Sequence, residues 1–253
     1  MKKTLASIAF AAVALAASVG VQAGVMSTTI SFDPVDTSTL MYGDSGFLGH
    51  GDEFYQKGLA GRNMFFDPFS NAAGAQYGDF VGAILNGACS DLLCPVNNPT
   101  NYLAMLDDGV VAFGMADGPD SYFRFSIKSF SASFIGSGDP LQNTPGFIRL
   151  QGVRDGVSTI ATFALTGLDS NGQLNFSTIN TGAFGDIEFD YVYAFGFACA
   201  APGAGNSCTA FSSNRAQFAL DDIVIEHVPE PGSLALLAVA GLAAGRVTRR
   251  RAA

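Results

Sequence analysis

Ile187-Glu188-Phe189-Asp190-Tyr191-Val192-Tyr193-Ala194-Phe195-Gly196-Phe197 places a large apolar or aromatic side chain at every odd position, while the even positions begin acidic and turn small. A period of two belongs to the extended chain, whose side chains point alternately to opposite faces. The run therefore predicts one long strand with the odd residues on its buried face.

The same period recurs on both sides of this run. Phe123, Phe125 and Ile127 alternate with Tyr122, Arg124, Ser126 and Lys128, after which Phe130, Ala132 and Phe134 continue in the opposite phase. A bulge near Ser129 reconciles the two. Further strands are predicted at residues 28–32, 110–115, 147–153, 159–165, 174–179 and 217–225. Between them stand Asp117-Gly118-Pro119-Asp120, Ser137-Gly138-Asp139-Pro140, Arg154-Asp155-Gly156 and Ser170-Asn171-Gly172, residues that start turns or tolerate positive φ. The last reads as a hairpin. Residues 41–101 are less regular and dense in Gly, Asn and Asp, which predicts long loops with a few short strands. Helical patterns are almost absent from residues 24–227. The fold class that follows is all-β: a single antiparallel, jelly-roll-like β-sandwich of two packed sheets.

Charge narrows the partners. Of 13 Lys and Arg, Lys2, Lys3, Arg246, Arg249, Arg250 and Arg251 lie in the two ends, and of 22 Asp and Glu only Glu230 does. Residues 24–227 thus hold 7 basic against 21 acidic side chains, a net −14. Such a surface repels phosphate backbones and anionic lipid headgroups, so no nucleic acid is expected as a partner, and divalent cations are the natural counterions. The same acidity also serves solubility alone.

The four cysteines fall into two local pairs. Cys89 and Cys94 bracket Ser-Asp-Leu-Leu, and Cys199 and Cys208 bracket a loop of small and polar residues. Neither spacing suits zinc and no histidine lies near, so two local disulfides formed in an oxidising compartment are expected.

Reaction chemistry is hard to place. Gly43-Asp44-Ser45-Gly46 has the look of a hydrolase nucleophile block, but His50 and His227 are the only histidines and neither is placed to serve Ser45. His50 is expected exposed in a Gly-rich loop and His227 solvated at the edge of the tail. Two of the acids could still flank a glycosidic bond, although nothing singles out a pair. The chain has no Trp, which leaves Tyr and Phe as the stacking groups for any sugar. No catalytic residue is assigned, and the chain is read as a non-enzyme.

Phe218-Ala219-Leu220-Asp221-Asp222-Ile223-Val224-Ile225 carries the best remaining signal. Under strict alternation Asp222 shares a face with Phe218, Leu220 and Val224 and enters the interior, which is costly for an unpaired carboxylate. A bulge relieves it, backbone amides satisfy it, or a cation binds it. This stretch resembles the terminal strand of galactose-binding-like jelly rolls, in which an Asp pair before a β-branched run sometimes contributes to a structural calcium site. The resemblance implies calcium as the one candidate cofactor, with Asp33, Asp221 and Asp222 as ligands. Asp33 and Asp36 follow the first predicted strand, which in such folds often pairs with the last. Asp169-Ser170-Asn171-Gly172 also resembles the opening of a calcium loop, but an Asx turn explains it.

The two ends read as addresses. Lys2 and Lys3, an apolar run from Leu5 to Val19, and small residues before a cut between Ala23 and Gly24 predict a signal peptide over residues 1–23, recognised by signal peptidase. At the other end Val228-Pro229-Glu230-Pro231 is followed by a hydrophobic helix at 232–245 and a basic tail at 246–251 with Arg249, Arg250 and Arg251. The apolar run is well under the roughly 20 residues of a comfortable span, and the arginines would remain cytoplasmic. Residues 228–253 resemble the PEP-CTERM sorting signal. The resemblance implies export across the inner membrane of a Gram-negative bacterium and transient anchoring through the C-terminal helix. It also implies cutting by an exosortase and release to a cell surface or matrix rich in extracellular polysaccharide. Residues 24–227 are then the single working domain, a binding or structural module associated with exopolysaccharide and biofilm, with a secreted polysaccharide hydrolase as the alternative.

Overall fold

In the computed structural model, residues 24–227 are described except 60, 88, 90–91, 107–108, 117–121, 137–145, 200–206 and 212–213. Both predicted terminal helices, the signal cut after Ala23 and the turns at 117–120 and 137–140 lie outside the described residues. Ser27–His227 form one compact unit of strands and short 3-10 turns, with no α-helix among the described residues. Among the described residues no helix is long and apolar enough to cross a membrane.

The strands are β1 (Met26–Ile30), β2 (Phe47–Gly49), β3 (Phe54–Lys57), β4 (Asn63–Ser70), β5 (Phe80–Leu85), β6 (Tyr102–Met105), β7 (Gly109–Ala116), β8 (Tyr122–Phe123), β9 (Ser126–Phe134), β10 (Gly146–Arg154), β11 (Val157–Leu165), β12 (Ser177–Asn180), β13 (Tyr191–Cys199), β14 (Cys208–Thr209) and β15 (Phe218–His227). They form two sheets. The first runs β12-β9-β15-β6-β5-β2 with β1 also on β15, and the second β11-β10-β13-β7-β4-β3 with β14 on β13 and β8 on β7. Every pairing among β2 to β15 is antiparallel.

Large side chains from the facing sides of the sheets interleave. Phe130 on β9 meets Phe163 on β11 edge to face at 5.5 Å, and Ile127, Phe130, Leu220 and Ile223 of the first sheet share a small void with Phe113 and Leu150 of the second. Full burial of such a side chain contributes on the order of 1.5–3 kcal/mol.

Of the decisive run at 187–197 only residues 191–197 lie in a strand, β13, and its buried face is the opposite of the predicted one. In β13 the small even residues Val192, Ala194 and Gly196 are buried, while Tyr191, Tyr193, Phe195 and Phe197 are half-buried on the outer side. A phase change causes this. Phe189 is buried and bridges Phe125 just before the strand, and the chain reverses its facing between there and Val192. The inner layer is already filled by large residues of other strands, so only small ones fit beneath β13: a Cβ on Gly196 would lie 2.1 Å from the Ala216 carbonyl oxygen.

Other expectations fare unevenly. The bulge near Ser129 is present, since Val224 pairs with Ser129 and Ile225 with Ile127, skipping Lys128. The hairpin lies elsewhere than expected: Asp155 (φ 51°) and Gly156 (φ 77°) form the two-residue turn joining β10 to β11. Ser170-Asn171-Gly172 turns within a loop instead, closed by Gly172 N–H on the Asp169 carbonyl. Residues 41–101 hold more strand than their composition suggests, including the eight-residue β4. Pro68 is tolerated in β4 because β3 pairs only with Asn63–Phe66, leaving the Pro68 side an open edge.

Candidate functional site

The outer sides of the two sheets differ. Over the first sheet lies a second apolar layer, in which Tyr102, Ala104, Leu106, Ile135 and Ala219 pack beneath Leu85, Leu92 and Phe176. Loop segments fasten it: Val96 N–H donates to the Leu174 carbonyl, and the Asn97 side chain bonds both the amide and the carbonyl of Phe176. The Cys89–Cys94 disulfide closes one of these loops, with Cα atoms 6.0 Å apart. The second disulfide, Cys199–Cys208, links β13 to β14. Both expected pairings are therefore formed.

The outer side of the second sheet carries no comparable cluster among the described residues, although Phe211, in the loop after β14, leans on Phe195 at 5.4 Å. It presents rows of aromatic rings instead. Tyr191, Tyr193, Phe195 and Phe197 line β13, Phe65 and Phe69 stand on β4, and between them β7 contributes Val110, Ala112 and Gly114 to the outer face. The Cα atoms of residues i and i+2 on one strand stand about 7 Å apart, close enough for their rings to touch. They lean on one another: Tyr191 to Tyr193 at 5.4 Å, Phe195 to Phe197 at 5.6 Å, Phe69 to Tyr193 at 6.0 Å and Phe65 to Tyr122 at 5.7 Å. The contacts are edge-to-face or tilted, so mutual packing fixes half-buried rings at steep angles to one another and holds them ready at little entropic cost.

Polar groups punctuate this surface. Arg149 on β10 lays its guanidinium 4.4 Å from the Phe197 ring centroid and 5.9 Å from that of Phe195, and its Nε donates to Thr162 Oγ1 at 3.3 Å. Asp67 stands on β4 across Ala112 from Tyr193. Burial pushes the Asp67 carboxyl up, and the charge of Glu53 adds to this against the opposing pull of His50. Burial likewise raises the Tyr193 hydroxyl, the negative charge of Asp67 contributing. Hydrogen-bonding groups thus flank stacking rings on one sheet surface, an arrangement suited to a ligand with both apolar faces and hydroxyl edges.

The sequence-level candidates sit elsewhere. In β15 the ladder slips between Asp221 and Val224, and Asp222 takes φ 47°, so a bulge is present. It leaves Asp222 exposed, while Asp221, on the same outer side of the sheet as Ala219, is buried under the loop that carries Asn98, so Asp221 rather than Asp222 is the buried carboxylate. Asp221 is 1% exposed. Its Oδ2 accepts from Asn98 Nδ2 at 2.7 Å and its Oδ1 from the Asp222 amide at 2.8 Å. Burial raises its carboxyl, these two bonds oppose that, and the charges of Asp222 and Asp33 add to it. Asp33 accepts from the Asn101 amide at 2.9 Å. Asp36 caps the 3-10 turn Thr37–Thr39. Among the described residues no group of three or more His, Cys, Asp or Glu side chains is placed to hold a metal ion. Asp169 closes an Asx turn, accepting from the amides of Asn171 and Gln173, and the Gln173 bond foremost holds its carboxyl low.

Neither histidine is free in solvent. His227 is buried, with Nδ1 donating to the Arg124 carbonyl at 2.7 Å and Nε2 3.1 Å from an Arg62 nitrogen. His50 Nδ1 accepts from the Ser70 amide at 3.0 Å. Ser45 donates its hydroxyl to the Tyr42 carbonyl in a 3-10 turn. The aromatic surface went unseen in the sequence although its signal was there: the even positions of 191–197 are small, the mark of a strand whose inner side is crowded.

A model of the PEP-CTERM protein-sorting motif matches residues 227–251. The motif defines an exported protein, held at its C-terminus until an exosortase processes it. No curated protein and no solved structure matches the chain.

Proposed function

We propose that the exported body is a non-catalytic binding module for extracellular polysaccharide, delivered to the cell surface or biofilm matrix of a Gram-negative bacterium. It works on a jelly-roll-like sandwich of the galactose-binding kind, a reading supported by two facing antiparallel sheets and by first and last strands that pair. The observation that carries the function is the half-buried outer row Tyr191, Tyr193, Phe195 and Phe197, with Asp67 beside Tyr193 and with Arg149 and Phe211 laid against Phe197 and Phe195. Sugar rings stack their C–H faces on aromatic rings, while carboxylate, guanidinium and phenol groups meet their hydroxyls. A net −14 body favours neutral or cationic glycans over acidic ones.

The test is affinity electrophoresis of the exported protein through gels holding the producing bacterium's own polysaccharide. Retardation is expected, and Tyr193→Ala and Phe195→Ala should each weaken it by roughly three- to tenfold. Tyr77→Ala should leave it unchanged, because Tyr77 is exposed on a different loop. Equal migration of wild type and a Tyr193→Ala/Phe195→Ala double variant would discard the aromatic surface as the site. Release of reducing ends from the polymer would instead mark a hydrolase.

A further inference from the structure

The four outermost strands of the two sheets are not alike. β2 has three residues, and β3 and β12 have four each, so these edges are short. β11 has nine, Val157-Ser-Thr-Ile-Ala-Thr-Phe-Ala-Leu165, with no charge, no Pro and no Gly. Sheet proteins ordinarily blunt such an edge with lysine, proline, a bulge or a covering loop. Here none of these devices is present among the described residues. β11 pairs along its whole length with β10, and its backbone bonds go to β10 alone among the described residues. Val157 is 68% and Ile160 54% exposed.

The hairpin settles which backbone groups are free. With a two-residue turn at Asp155-Gly156, Arg154 and Val157 form a hydrogen-bonded pair, and so do Gly152 with Thr159, Leu150 with Ala161, Ile148 with Phe163 and Gly146 with Leu165. The N–H and C=O groups of Ser158, Ile160, Thr162 and Ala164 therefore point off the edge of the sheet.

We propose that β11 is a dimerisation edge, pairing antiparallel with β11 of a second copy across a twofold axis at Ala161. That register alone engages all four outward residues: Ser158 with the partner's Ala164, Ile160 with the partner's Thr162, and the symmetric equivalents. Ala161 then faces the partner's Ala161 as a non-hydrogen-bonded pair, with Cα atoms about 4.5 Å apart. A second copy is the occupant because every facing pair is uncharged, and β-branched Ile160 meets β-branched Thr162. On a body of net −14, an uncharged nine-residue edge is where two copies approach with least repulsion. The two eight-stranded sheets then form one, and the aromatic surfaces of both copies lie on the same side of it, doubling the contacts available to a repeating polymer.

The exported protein with Ala161→Cys tests this by non-reducing electrophoresis. A disulfide-linked dimer is expected, whereas Tyr55→Cys on the opposite edge strand β3 should stay monomeric. Sedimentation over a concentration series should show a wild-type dimer. Ile160→Pro, which removes only an N–H pointing off the edge, should weaken it by roughly tenfold or more while leaving the monomer folded by circular dichroism. A wild type that sediments as a monomer throughout, with Ala161→Cys cross-linking no better than Tyr55→Cys, overturns the proposal. If Ile160→Pro fails to fold, the cross-linking comparison still decides. Polysaccharide retention by a monomer would sink the dimer and leave the binding reading standing.

Discussion

The side-chain amide of Asn98 donates to Asp221 Oδ2 at 2.7 Å across 123 positions of sequence, tying the loop before β6 to the bulge in the last strand. Asp221 is buried, and burial already holds its carboxyl above the ordinary range. Asn98→Ala strands an acceptor and should cost about 1–3 kcal/mol at pH 7. The sign follows from linkage. A carboxyl raised in the fold loses stability as pH climbs from its unfolded value through its folded one, and removing Asn98 widens that gap. The deficit of the variant should therefore be larger at pH 7 than at pH 3, as read by urea denaturation at both.

Asp67 lies under the same rule on the aromatic surface. Its carboxyl is raised by burial first and by Glu53 second, so its ionisation opposes folding. Asp67→Asn should be more stable than wild type at neutral pH, and the difference should vanish below about pH 4, where the unfolded carboxyl is also protonated. Thermal melts across that range check it. A constant offset at every pH would show that charge is not the cause.

Gly196 reports on the crowding beneath β13. A Cβ there meets the Ala216 carbonyl oxygen at 2.1 Å and Phe218 Cδ1 at 3.2 Å, and the first is backbone that cannot rotate away. Gly196→Ala should destabilise by about 1–3 kcal/mol in a denaturant titration, although alanine suits a strand better than glycine.

That same strand shows what the sequence could and could not say. Alternation at 191–197 announces a strand, but a period of two leaves open which face is inward, and the choice falls to what the rest of the chain has already packed there. Phe113, Phe130, Leu150 and Phe218 fill the interior, so β13 turns its small side in. β4 was illegible for a related reason: Met64 and Phe66 face inward while Phe65 and Phe69 face outward, and aromatic residues on both sides erase the period. In β15 the doubled Asp left a bulge, backbone amides or a cation open; the ladder shows a bulge, and burial falls on Asp221 rather than on Asp222. The local disulfides were readable because short spacing leaves little else for those cysteines to do.

The Cys199–Cys208 bond closes a loop of nine-residue separation at the end of β13. Replacing both cysteines by serine should lower stability by about 2–3 kcal/mol, the loop-closure entropy returned to the unfolded chain. Denaturant midpoints with and without reductant measure it. Wild type in reductant should approach the double serine variant once the Cys89–Cys94 contribution is separated with its own serine pair.

The sorting motif makes a prediction that needs no knowledge of the ligand. Proline restricts its own φ and biases the residue before it toward extended geometry, so the two prolines flanking Glu230 are expected to matter to a processing enzyme. Pro229→Ala/Pro231→Ala removes that restriction without touching the apolar run or the arginines. Targeting to the membrane should survive while cutting fails. In a host with an exosortase, intact mass spectrometry should find wild type lacking its C-terminal arginines and the variant retaining Arg249, Arg250 and Arg251. The same spectra read the other end, where a mature chain beginning at Gly24 is expected. Retained arginines in the wild type would show that the motif anchors this protein without being cut, and the body would then act while still held at the membrane.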